Sequence, residues 1–234
     1  NDSLTIFGGD PKPALIDTYN DHRMAMAFAI AGTKLQGIKI NHPEVVSKTF
    51  PDFWKKLNNL GIRTSNKNNI ALIGMRGSGK TTIGKMLAQK LDKKFLDLDE
   101  ELIKKAGQTL SEIINNKGWD YFREQEAIIA KEKKAVQNSV IATGGGVILR
   151  QENIEALQKN GILIFLNAHP KILAKRIGTD RERPAFHHGF ATEADLTLVL
   201  QERQKLYEDN ADLIINTNGL AIENVVKKII KKIN

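Results

Sequence analysis

The chain has 234 residues, 41% hydrophobic and 26% charged, with 18 Gly, 6 Pro and no Cys. That length suffices for one medium domain plus part of a second, and the missing cysteine excludes a disulfide scaffold, a thiolate zinc site and a cysteine nucleophile. The net charge of +8 suits nucleic acid and small anionic substrates equally, while 6% aromatic residues leave little material for stacking bases. No apolar run approaches the roughly 20 residues that span a bilayer, and the opening residues lack a basic-then-apolar secretory pattern. A cytoplasmic location is expected, with no membrane and no nucleic acid among the partners. The start at Asn1 is expected to reflect a cut from something longer.

The first elements are a helical pattern over Asp21–Leu35, a strand-like Gly37–Asn41 and a second helical pattern over Val45–Leu60. One or two such units bury their apolar faces with difficulty on their own. The polar, aperiodic stretch Thr64–Asn69 reads as a linker, which divides the chain into residues 1–63, 64–69 and 70–234. Beyond it, Ile70-Ala71-Leu72-Ile73 is a continuous apolar run of the kind that forms a buried parallel strand. Further strand-like runs follow at Lys94–Leu98, Ser139–Thr143, Ile162–Asn167 and Asp212–Asn216, separated by helical stretches of which the first is Lys80–Leu91. Alternating strands and helices predict an α/β domain: a five-stranded parallel sheet flanked by helices, beside a small α+β N-terminal piece.

Between the first of these strands and its helix, Gly74-Met75-Arg76-Gly77-Ser78-Gly79-Lys80-Thr81 satisfies G-x-x-x-x-G-K-[ST]. Glycines let the backbone wrap closely around phosphate oxygens, and the helix N-terminus adds the positive end of its dipole. Lys80 is placed to reach the β- and γ-phosphates and the Thr81 hydroxyl to ligate Mg²⁺. The pattern predicts nucleoside triphosphate binding through Gly77, Ser78, Gly79, Lys80, Thr81 and Thr82.

Asp97-Leu98-Asp99 ends the second strand, where alternation puts both carboxylates on one face near the phosphate loop. One acid there can serve Mg²⁺ through water and the other can accept a proton from an attacking hydroxyl, although helix capping is an alternative for Asp99. Gly144-Gly145-Gly146 follows a buried strand, as needed for a sharp turn or a close approach to ligand. Arg123 and Arg203 lie in helical stretches, where an isolated arginine is ordinarily a solvated face.

Together these segments resemble the shikimate kinase family over residues 69–234. The resemblance rests on the Gly74–Thr81 loop, Asp97-x-Asp99, Phe122-Arg123-x-x-Glu126, the triple glycine, Arg183-Pro184 and Arg203-x-x-Leu206-Tyr207, in family order. It implies a P-loop kinase fold, ATP and Mg²⁺ as cofactors, shikimate as the substrate and a monomeric kinase domain. By resemblance Asp99 binds the shikimate hydroxyls and acts as the base, Asp97 holds Mg²⁺ through water beside Thr81, and Arg123 and Arg203 clamp the carboxylate. The Gly145 N–H contacts a substrate oxygen, Arg176 stacks on adenine, and Arg183 descends on the phosphates from a lid around Asp180–Thr192. Lys80, Asp99 and Arg183 form the catalytic set. His187 and His188 read as exposed loop histidines, and Gly219 stands near where many family members carry a basic residue against adenine. The alternatives are a gluconate-type kinase and a nucleotide-gated module without catalysis.

The front of the chain resembles the C-terminal end of 5-enolpyruvylshikimate-3-phosphate synthase, through Thr18–Ala27 and Ser47–Trp54, over about residues 4–62. Arg23 and Lys48 fall on that family's phosphoenolpyruvate-binding positions, here vestigial, since most of such an enzyme is missing and residues 1–62 are expected to be inactive alone. Synthase followed by kinase implies a longer fusion or its remnant. At the other end, Val225–Ile233 alternates apolar and Lys pairs, which fits a terminal helix packed by its Ile face or a basic amphipathic helix for anionic surfaces.

Overall fold

Asp21 opens the first helix because its carboxylate accepts the N–H of Arg23 at 2.8 Å, one of the donors a helix start leaves without an intrahelical partner. The computed structural model describes residues 9–35, 37–60, 62, 68–178 and 192–233. The chain divides into two units, Asn1–Ser65 and Asn66–Asn234.

The first unit holds β1 (Leu15–Ile16), α1 (His22–Ala31), β2 (Lys39–Ile40), a 3₁₀ turn at Pro43–Lys48 and α2 (Phe53–Asn59). The long helical pattern expected over Val45–Leu60 is broken in two. Pro51 lacks the N–H a helix interior needs and disfavours helical geometry at Phe50. β1 and β2 pair in parallel for two residues each. Ala25, Val45, Val46, Phe53 and Leu57 form the small core, with Phe50 and Trp54 edge-on to Phe53.

The second unit runs β3 (Asn69–Ile73), α3 (Lys80–Lys90), β4 (Lys94–Asp97), α4 (Leu98–Ala106), α5 (Leu110–Lys133), β5 (Ser139–Ala142), α6 (Gln151–Gln158), β6 (Gly161–Asn167), α7 (Pro170–Ile177), α8 (Glu193–Asn210), β7 (Leu213–Asn216) and α9 (Ile222–Ile233). All five strands are parallel, in the order β4-β5-β3-β6-β7. The first strand made is therefore the central one, with Ile70 opposite both Val140 and Ile162. Each of its residues is buried, as the unbroken apolar run requires of a strand covered on both faces.

Two apolar layers sandwich the sheet. One joins Ile73, Leu98, Phe122, Phe165 and Tyr207 to α4, α5, α6, α7 and α8; the other joins Leu72, Leu87, Ile164 and Ile215 to α3 and α9. Val225, Val226 and Ile229 of α9 belong to this second layer, so the apolar face of the terminal helix is spent on the core, as a packed helix requires. No helix among the described residues is long and apolar enough to cross a membrane. α5 is broken at Gly118 (φ 82°, ψ 170°), so the half carrying Arg123 starts afresh at Trp119.

Candidate active site

The loops after β3, β4 and β5 converge at the carboxyl ends of the strands, where open α/β sheets gather ligands. Gly79, at φ +91°, turns the chain into α3 in a conformation that an L side chain resists. Lys80 then opens the helix with its side chain curled back into the loop, where Nζ donates to the carbonyls of Gly74 (2.9 Å) and Met75 (2.8 Å). Ser78 is wholly buried within the loop, and Thr82 is exposed in the first helical turn.

Thr81 donates its hydroxyl proton to Asp97 Oδ2 at 2.7 Å, which joins the phosphate loop to the end of β4. Burial, reinforced by the neighbouring Asp99 carboxylate, raises the Asp97 pKa above its ordinary value. The second carboxylate is not on the strand, as the alternation suggested. β4 stops at Asp97, whose Oδ1 accepts the Asp99 N–H at 3.0 Å and caps α4, and Asp99 lies in the first turn of that helix. The cap is thus Asp97, and Asp99 keeps its carboxylate directed to the glycine turn.

That turn ties the pocket together. A Cβ built on Gly144 would lie 2.3 Å from Glu126 Oε1 and 3.1 Å from Asp99 Oδ1, and one on Gly146 would lie 2.1 Å from Arg123 Cζ. Side chains of α4 and α5 therefore rest directly on the backbone after β5. A Cβ on Gly145 would come 3.3 Å from the Arg76 N, which brings the same turn against the phosphate loop. Arg123 is anchored by Glu126, Nη1 to Oε2 at 2.8 Å, with the Trp119 and Phe122 rings 5.3 and 5.0 Å from its Cζ. Arg203, on α8, is half-buried; burial lowers its pKa and the nearby positive Arg123 adds to that, opposed by Tyr207, Glu202 and Glu126. Two guanidiniums beside one another in a partly desolvated pocket favour a carboxylate between them.

Arg176, near the end of α7, donates to Thr217 Oγ1 and to the Thr217 carbonyl, both at 3.1 Å, across to the loop after β7. Gly219 lies in that loop at φ +66°. Arg183, His187 and His188 lie outside the described residues, as does most of the expected lid.

In the first unit Arg23 is gripped by Asp21, Nη2 to Oδ2 at 2.8 Å, and Lys48 Nζ donates to Asn20 Oδ1 at 2.7 Å. Hydrogen bonding from Arg23 holds the Asp21 carboxyl down at about 2. Both cations are thus held by adjacent residues, Asn20 and Asp21.

Two contributors to the pocket escape a reading of individual charges. Glu126 stands in the Phe122-Arg123-x-x-Glu126 motif, but its role there shows only in its i+3 spacing from Arg123, which pairs side chains on one helix face. Tyr207 carries no charge, and its hydroxyl meets Gly145 across a distance in sequence that no local pattern spans.

A glycine-rich loop after the central strand of a parallel sheet, bonded to Asp97 through Thr81 and packed against a glycine turn that carries Asp99 and Arg123 on its far side, marks a P-loop phosphotransferase. Comparison with known proteins narrows this. The family model described as shikimate kinase matches residues 76–234, and the model of EPSP synthase (3-phosphoshikimate 1-carboxyvinyltransferase) matches residues 1–57. The shikimate kinase of Pelotomaculum thermopropionicum is 36% identical over 69% of this chain and 93% of its own length, and that of Thermodesulfovibrio yellowstonii 41% identical over 70% and 94%. The solved shikimate kinase from Acinetobacter baumannii in complex with shikimate superposes with a TM-score of 0.68 at 35% identity, covering 71% of this chain and 92% of that one. The chain belongs to the shikimate kinase family, and is an ATP-using kinase whose leading segment matches a synthase.

Proposed function

We propose that residues 70–234 transfer the γ-phosphoryl group of ATP to the 3-hydroxyl of shikimate, giving 3-phosphoshikimate and ADP. The observation that carries this reading is the glycine turn after β5, against which Asp99, Glu126-anchored Arg123 and the phosphate-loop backbone all rest. An acceptor hydroxyl held by Asp99 then faces the phosphate loop, while Arg123 and Arg203 hold its carboxylate.

The roles follow from position. Loop N–H groups of Gly77, Ser78 and Gly79, with Lys80 and Thr82, hold the phosphates; Arg176 packs on adenine. Asp99 orients the attacking hydroxyl and takes its proton, and the Gly145 N–H donates to a substrate oxygen. Lys80 offsets charge on the transferring group, joined by Arg183. The hydroxyl and carboxylate oxygens of Thr81 and Asp97, 2.7 Å apart, are hard donors of the kind Mg²⁺ accepts, directly and through water. Bound there, Mg²⁺ would neutralise charge on the β- and γ-phosphate oxygens.

We read residues 1–63 as a synthase fragment, 64–69 as a linker and 70–234 as the kinase, a division supported by family matches at 1–57 and 76–234; the first segment is read as inactive alone, its Arg23 and Lys48 vestigial. The joining of two families in one chain supports a synthase–kinase fusion in which the kinase product is the substrate in the synthase's name. The kinase unit is read as monomeric and cytoplasmic.

The test is ADP release by the full chain with Mg-ATP alone, with shikimate and with gluconate. Stimulation by shikimate only is expected; stimulation by gluconate only, or by neither while ATP still binds, overturns the assignment.

A further inference from the structure

Tyr207 is the largest wholly buried side chain among the described residues, and its ring stacks on Phe165 at 4.7 Å and 11°. Its hydroxyl donates to the Gly145 carbonyl, and Arg203, four residues earlier on the same face of α8, donates to that hydroxyl. Burial holds the phenol pKa far above its ordinary value, so the group stays neutral and remains a donor throughout the physiological range.

A hydrophobic stack alone does not explain a hydroxyl here, because phenylalanine stacks equally well and brings no polar atom to desolvate. The hydroxyl sits where α8 meets the turn after β5. One side of it is the guanidinium read above as half of the carboxylate clamp, and the other is the peptide whose glycines face Asp99 and Arg123. A long arginine side chain has several rotamers, and an oxygen at a fixed point in the core selects the one in which the guanidinium faces the pocket.

Resting on the shikimate kinase reading, we infer that Tyr207 is the positioning residue of the carboxylate clamp. Its hydroxyl locks Arg203 and the Gly145–Gly146 peptide in one register, so the substrate carboxylate meets an arginine already in place.

The test is Tyr207→Phe in the full chain, with shikimate and its neutral methyl ester as paired acceptors. For Y207F the shikimate KM is expected to rise about tenfold with the ATP KM within about twofold, since a hydrogen bond to a charged group is lost. The ester lacks the carboxylate charge but keeps the Gly145 contact, so its KM is expected to rise by no more than about twofold. Equal rises for acid and ester identify general loosening of the core and overturn the inference, as does an unchanged shikimate KM. Wild-type protein that turns over with Y207F unaltered removes this inference alone; wild-type protein that does not respond to shikimate removes the kinase reading and this inference with it. If Y207F fails to fold, the wild-type Tyr207 hydroxyl proton serves by NMR. It is expected to shift further on adding shikimate than on adding the ester, and identical responses overturn the inference.

Discussion

Arg23 and Arg123 are both guanidiniums at positions that family patterns mark as anion readers, yet their surroundings have little in common. The Arg23 side chain is 79% exposed and held by a carboxylate two residues away on the same turn, whereas the Arg123 side chain is 13% exposed. Around Arg123 stand Glu126, two aromatic rings and a glycine backbone contributed from beyond the end of the helix. The first arrangement survives in any short helical fragment with an Asp cap. The second exists only when α4, α5 and β5 are packed together. A binding motif retains its chemistry as far as the fold around it restricts its side chains, and the first unit, with five buried apolar residues among those described, restricts few.

The sharpest way to test the contrast is at the reacting end. Asp99→Asn removes the proton acceptor while leaving the phosphate loop intact; kcat should fall about 10³-fold, with ATP affinity by calorimetry unchanged. Unchanged kcat would remove Asp99 from its role. Gly146→Ala drives a methyl group into Arg123, and the loss of about 2 kcal/mol of charged hydrogen bonding should raise the shikimate KM roughly thirtyfold. A KM that stays put would show that the Arg123 guanidinium can move aside without losing its hold on the substrate.

Asp97→Asn separates stability from catalysis. Because the folded Asp97 pKa lies above its unfolded value, the folded chain holds that proton to higher pH. Stability therefore falls as pH rises from 3.8 through the raised value, and the penalty is complete at neutral pH. Asparagine keeps the cap and removes the charge. The variant should melt at a higher temperature at pH 7, while its Mg²⁺-dependent turnover drops, as scanning calorimetry and ADP release would read. A lower melting point at pH 7 would contradict the burial argument.

Asp21 has the opposite sign. Its carboxyl is held at about 2 against an ordinary 3.8, so its contribution is present above about pH 4 and fades as pH falls towards 2. Hydrogen-exchange protection of α1 should weaken over that interval more than in an Asp21→Asn variant, and an identical acid profile would dismiss the cap. The smallest effect expected is from removing residues 1–66, which should leave kcat and both KM values within about twofold. A collapse of activity would make the first unit part of the kinase's working structure.

Much of this was legible without coordinates, and the reasons are local. Ile70–Ile73 announces a doubly covered strand, and the glycines before Lys80 announce a loop for phosphates. The recurrence of such strands fixes the sheet class. What alternation could not foresee is that β4 would end one residue early: an Asp that can cap a helix ends a strand as readily as it continues it, so Asp99 moved from strand to helix. Pro51 signalled the break in the second helical pattern of the first unit, and apolar periodicity overrode it. The packing of Arg123 on Gly146 and of Tyr207 on Gly145 depends on segments far apart in the chain, and residue spacing carries no record of it.

The position of β3 bears on how the second unit is made. Synthesised before its neighbours, it finds its partners only when Val140 and later Ile162 have left the ribosome. Until then four apolar side chains in a row remain unshielded. Closing loops of that length slows folding, and long-range parallel pairing is prone to misassociation in the interval. The first unit, whose buried core runs only from Ala25 to Leu57, is free of that delay. Refolding from denaturant should therefore be biphasic, with a fast phase from the leading segment and a slow, concentration-sensitive phase from the kinase sheet.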